Sequence, residues 1–416
     1  MPSEGSGMSG VHLEQVRLPG VDSCENASRQ ELNGTKKKAA GWFQTWGPAW
    51  IVMMADVDAA SILTGLQSGV AFRYDLIWFL LLLIIPLFFV QEAAGRIGVA
   101  TGKGLGELVR QTMSERTSLA IALPMAISDV ACYVAEYAAI GIAFGLFGVP
   151  LFISLPTVFV LHISLVARGR YALVERVLLG FSAVFIVTIG SALLIRGVIP
   201  GTPIYFSSSP SFVFLMAANA GAVVMPFMLF YQSSATAEKK GSTVPGIRRE
   251  TLVGAVVSEL LMVAFLLLGA GMPSSSNLFT SSGLAAALSV VGGALLPYVF
   301  AIGLLSAAFL ALVVISLGSA WGVAEALGFP RNRAFWIYAL ESVPAVFVPF
   351  LFPHPLTLVL DLMVLLVFIL IGPGVLVGIL ASDKRVMGSM ASKGIWRVAY
   401  WLSLASVVAC GVIAVV

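Results

Sequence analysis

The chain of 416 residues is 59% hydrophobic and only 11% charged, with a net charge of +3. A soluble globular domain is about a quarter charged, so that class is excluded. Apolar runs that are continuous rather than alternating exclude a membrane β-barrel and leave a polytopic helical protein of the lipid bilayer.

Residues 1–40 are polar and end in Lys36-Lys37-Lys38, with no apolar run behind a charged start. They predict a disordered cytoplasmic tail rather than a secretory signal. Asn26-Ala27-Ser28 and Asn33-Gly34-Thr35 match the glycosylation pattern and are chance matches if the tail is cytoplasmic. Cys24, Cys132 and Cys410 lie far apart without a CxxC pair, so no redox motif or thiolate metal site is signalled. Eleven spans follow, at 46–69, 75–97, 118–145, 149–167, 175–196, 211–235, 251–272, 294–321, 333–352, 356–381 and 395–415. A short helix at 283–293 leads into the eighth. With the tail inside, only Arg73 and Arg196 of the 24 Lys and Arg fall on the outer side. The positive-inside rule then predicts a plasma (inner) membrane protein with a cytoplasmic N-terminus and an outer C-terminus.

Two spans are unusual. The first holds Asp56-Val57-Asp58-Ala59-Ala60-Ser61, two carboxylates at mid-span, which is costly in lipid. The sixth holds Ala220-Gly221-Ala222-Val223-Val224-Met225-Pro226, where the proline removes a backbone donor beside small residues. Interrupted helices five spans apart, hence oppositely oriented in an inverted repeat, point to a midplane transport site. Asp58 is then a cation ligand beside freed carbonyls, or the cap of the second half-helix. Met225 offers a thioether to a softer cation such as Mn²⁺, or packs as most methionines do. Ser61 ligates directly, ligates through water, or satisfies its own helix.

These stretches resemble the natural resistance-associated macrophage protein (Nramp) family of divalent metal transporters. Gly47-Pro48 and the run Asp58-Ala59-Ala60-Ser61-Ile62-Leu63-Thr64-Gly65-Leu66-Gln67-Ser68-Gly69 are similar to its first-span motif. Gly98-Val99-Ala100-Thr101-Gly102-Lys103 resembles its GIATGK, and Ala222-Val223-Val224-Met225-Pro226-Phe227 its A-x-x-MPH. Phe147-Gly148-Val149-Pro150-Leu151 and Ser382-Asp383-Lys384-Arg385-Val386-Met387-Gly388 also find counterparts. The resemblance implies an all-α LeuT-type fold of two inverted five-helix repeats, about 46–197 and 211–381, plus an extra helix at 395–415, within a transmembrane domain at 41–416. It also implies metal ligation by Asp58, Ser61, the Ala222 carbonyl and Met225. The departures are as informative. The family's DPGN is Asp58-Ala59-Ala60-Ser61 here, and two histidines of its proton route are Phe227 and Gln232. Neither titrates near neutral pH, so metal transport by alternating access with weak or no proton coupling is expected. The shorter Ser61 widens the site toward hydrated Mg²⁺, as in the Nramp-related branch, whereas Met225 favours Mn²⁺; Mn²⁺ is preferred.

Other embedded acids complete the reading. Asp56 lines the access path or sits protonated in a hydrogen bond. Asp129 and Glu136, seven apart on the third span, pair across helices or replace the lost proton path. Glu259, Glu341 and Asp361 are expected to hydrogen-bond in the packing, and His162 to be structural. Nothing points to an enzyme or a cofactor, and the basic residues are topological, not a nucleic-acid surface. The partners expected are a divalent metal ion and the bilayer; the oligomeric state is open, a monomer being compatible. The competing readings are an organic solute symporter of amino-acid-like substrates, against which Asp58 would repel a carboxylate, and a channel or receptor, which has no need of two broken helices.

Overall fold

Proline and glycine set the ends of the helices. Pro48, Pro210, Pro226 and Pro355 each stand in the first turn of a helix, where a missing N–H costs nothing. The computed structural model describes residues 47–167, 204–278, 280–329, 331–352 and 354–416. The first span is α1 (Pro48–Asp56) and α2 (Ala59–Phe72), bent by 43°. Then come α3 (Ile77–Thr101), α4 (Leu105–Thr112), α5 (Glu115–Leu146) and α6 (Leu151–Ala167). The sixth span is α7 (Pro210–Val223) and α8 (Pro226–Glu238), followed by α9 (Val244–Ala270), the short α10 (Ser281–Gly292) and α11 (Leu296–Ser319). The chain ends with α12 (Arg331–Leu351), α13 (Pro355–Ile369), α14 (Ile371–Ser382), the single turn α15 (Lys384–Met387) and α16 (Ile395–Val415).

Among the described residues eight helices are long and apolar enough to cross a membrane, and the bent α1–α2 pair makes a ninth. α6, at 17 residues, matches the predicted fourth span but is shorter. The predicted tail, the fifth span at 175–196 and Arg196 lie outside the described residues. Two details differ from expectation. The return after the second span contains α4, whose apolar Leu105, Leu108 and Val109 are buried together. The tenth span is two helices meeting at Leu370, close to Gly372 and Pro373.

The broken helices sit inside the bundle. The apolar window of the sixth span is 83% buried, that of α16 only 28%. α2 packs on α9 and α7, and α8 on α3 and α11. Backbones meet directly where α2 crosses α9: a Cβ on Gly69 would stand 2.0 Å from the Leu266 carbonyl, and one on Gly269 2.1 Å from that of Leu66. Small residues at such crossings replace the hydrophobic drive that lipid does not supply. At one end, Glu92 Oε1 accepts from Arg96 Nε at 3.0 Å and from Arg248 Nε at 2.7 Å. Arg96 also donates to the Met390 carbonyl and Ser392 Oγ, and Arg248 lies over the Trp396 ring. The sequence had assigned these arginines to topology alone; they also clamp α3, α9 and the approach to α16.

Candidate metal site

Each break frees particular backbone groups. In α1–α2 the chain leaves helical geometry at Val57 and Asp58. The Ala59 and Ala60 N–H groups, which a continuous helix would turn back toward Ala55 and Asp56, donate instead to the Glu136 carboxyl on α5, at 3.3 and 3.4 Å. The Asp56 carbonyl therefore lacks its helical donor. In α7–α8, Val224 and Met225 are extended. Pro226 has no N–H to offer the Ala222 carbonyl one turn before it, so that carbonyl is freed too.

Ser61 joins the two breaks. Its hydroxyl reaches the Asp56 carbonyl at 2.9 Å and the Ala222 carbonyl at 3.3 Å. One hydrogen serves one carbonyl at a time, and the oxygen keeps lone pairs for a ligand. Asp58 Oδ1 accepts from the Ser61 N–H at 2.7 Å, so Asp58 does cap α2; its carboxyl also lies against that of Glu136. Met225 is linked to α5 through Cys132, whose Sγ is 3.9 Å from Met225 Sδ. Asp58 and Ser61 are 1% exposed, Ala222 and Met225 fully buried, so the cluster is closed to solvent. Among the described residues no three His, Cys, Asp or Glu side chains surround a common point. A cation here is therefore completed by carbonyl, hydroxyl and thioether groups. Two participants escaped the sequence reading: the Asp56 carbonyl, hidden because only its side chain looked chemical, and Cys132, a lone cysteine without a spacing signal.

The proposed path residues separate. Asp56 accepts from Ser258 through Oδ2 and faces Glu259 on α9, while its Oδ1 has no partner. Glu136 is engaged at the first break. Asp129, on the same helix, turns instead toward Glu341 on α12. Phe227 is fully buried with its backbone and Cβ against Gly318 of α11. Gln232, equally buried, donates to Thr251 Oγ1 at 3.4 Å. The expectation of hydrogen-bonded packing acids holds for Glu341, which accepts from Ser319. It fails for Glu259, neither of whose oxygens accepts a bond, and for Asp361, which is exposed on the outside of α13. His162 is structural as expected, bridging Ser316 Oγ at 2.7 Å and Tyr137 Oη at 3.2 Å.

Two helices broken at mid-bundle, with freed carbonyls facing one another across a hydroxyl and beside a carboxylate, are the arrangement of a LeuT-type fold. A model of the natural resistance-associated macrophage protein-like family matches residues 49–416, and the chain belongs to that family. It is 25% identical to the divalent metal cation transporter MntH of Bacillus subtilis (strain 168), over 94% of this chain and 96% of that one. It is 29% identical to the metal transporter Nramp6 of Arabidopsis thaliana, over 62% of this chain and 51% of that protein. A solved manganese transporter of Eremococcus coleocola superposes with TM-score 0.75 at 19% identity, covering 90% of this chain and 86% of that one. MHP1, a nucleobase-cation-symport-1 family transporter, superposes with TM-score 0.52 at 14% identity, covering 89% and 91%. These two likenesses carry the fold.

Proposed function

We propose that this chain moves divalent metal cations across the membrane by alternating access, with Mn²⁺ favoured over Mg²⁺ and little or no proton coupling. It stands with its N-terminus in the cytoplasm and its C-terminus outside. The observation that carries the reading is the Ser61 hydroxyl set between the freed carbonyls of Asp56 and Ala222, beside the Asp58 carboxyl. Oxygen donors of this kind suit a hard or borderline divalent ion. The relatives named as divalent metal cation transporters support the cargo class. An amino-acid-like solute is disfavoured because its carboxylate would meet Asp58 and Glu136 at the very N–H groups it needs.

Met225 decides between the metals. Only a softer cation gains from its thioether. Met225→Ala should weaken Mn²⁺ uptake about tenfold, the scale of about 1.4 kcal/mol, and leave Mg²⁺ uptake nearly unchanged. Competition uptake into proteoliposomes measures both; equal loss for the two metals would make Met225 a packing residue and remove the argument for Mn²⁺.

A further inference from the structure

Two buried carboxyls take no part in the cargo site. Asp129 lies midway along α5 and Glu341 midway along α12, helices that pack against each other. Asp129 is fully buried and Glu341 is 7% exposed. The Glu341 charge acts directly on Asp129. Ser319, the fully buried last residue of α11, donates its hydroxyl to Glu341 Oε2 and also adjoins Asp129. One hydroxyl hydrogen satisfies one acceptor. Asp129 Oδ1, Asp129 Oδ2 and Glu341 Oε1 accept no hydrogen bond at all. Among the described residues neither acid has a basic partner. Directly after Ser319 the helix widens into a π turn, Ala320–Ala324, a departure that is frequent at functional sites.

Carboxyl oxygens buried without donors are rare, because each forfeits the water it had in the unfolded chain. A bound cation removes that deficit. We infer that Asp129, Glu341 and Ser319 form a second cation site, separate from Asp58, that takes a hard divalent cation through oxygen ligands alone. Two carboxylates match a charge of two. No thioether, thiol or imidazole is among the three side chains, so a softer metal gains nothing there. The three side chains offer up to four carboxylate oxygens and one hydroxyl, and Asp129 and Ser319 are fully buried. That favours Ca²⁺, which accepts bidentate carboxylates, over Mg²⁺, which keeps its waters. An ion there ties α5, α11 and α12 together at the π turn and does not depend on the reading of Asp58.

The test uses the full-length Asp58→Ala protein in detergent, freed of metal by chelation and titrated with Ca²⁺. The expected result is one Ca²⁺ per chain by equilibrium dialysis, and a Tm raised by about 3 °C at a hundredfold excess over Kd. Asp129→Asn and Glu341→Gln, each made in that background, should weaken binding by more than about tenfold. If either carboxamide variant fails to fold, Ser319→Ala keeps both carboxyls and should weaken binding about threefold. The inference is overturned if the Asp58→Ala protein binds no Ca²⁺, which assigns any Ca²⁺ to the cargo site or leaves the pair merely protonated. It is equally overturned if Ca²⁺ binds unchanged in the three further variants.

Discussion

Asp58→Ala is expected to abolish Mn²⁺ binding between the two helix breaks and Mn²⁺ uptake while the protein still folds and reaches the membrane. Asp58 is the one acid at the site contributed by the broken span itself, and it is 1% exposed. Its loss leaves a cation with two carbonyls, a hydroxyl and a thioether, none of them charged. Residues that merely support a metal ligand cost about 10–100-fold on removal, so loss of the charged ligand exceeds that range. Folding should survive for a structural reason. Asp58 caps α2 through a single bond to the Ser61 N–H, worth about 1 kcal/mol, and Glu136 continues to hold the neighbouring Ala59 and Ala60 N–H groups. Calorimetric binding and proteoliposome uptake, with size-exclusion behaviour as the folding control, measure the effect. Uptake at the wild-type rate would remove Asp58 from the site.

Metal uptake should proceed with little or no accompanying proton flux. Phe227 and Gln232 stand where the resemblance expects typical relatives to relay protons; both are fully buried, Phe227 against Gly318 and Gln232 against the Thr251 hydroxyl. Neither titrates near neutral pH. The membrane potential is then the expected driving force: about 2.3 kcal/mol per charge at 100 mV gives a divalent ion about 4.6 kcal/mol, enough for more than about a thousandfold accumulation. Liposomes loaded with a pH dye and given a metal gradient report on this directly. Acidification that scales with metal entry and vanishes in Glu136→Gln would establish a rerouted proton path and refute uncoupled transport.

What was legible in the sequence had strong local causes. Pro226 and the paired acids Asp56 and Asp58 mark the two breaks because each violates a rule of membrane helices, a missing donor in one case and buried charge in the other. The distribution of Lys and Arg carries the expected topology because translocation reads those charges loop by loop. Other features had no local cause. Glu136 is 76 residues from the Ala60 N–H it accepts from, and only tertiary packing brings them together. The freed Asp56 carbonyl belongs to a backbone group that no residue letter announces. Asp129 and Glu136 share a helix face by spacing, yet Glu136 bonds the first break while Asp129 faces Glu341 on α12, so periodicity could place them but not pair them. α4 was missed because eight residues are too few for a convincing periodic pattern.

One divalent ion is expected to rest between the two helix breaks. Anomalous diffraction from crystals of the protein grown with Mn²⁺ tests it most directly. A single strong peak within coordination distance of Asp58, Ser61, the Ala222 carbonyl and Met225, absent from Asp58→Ala crystals, is the predicted result. Mn²⁺ density lying elsewhere in the bundle, with that cluster empty, would contradict it.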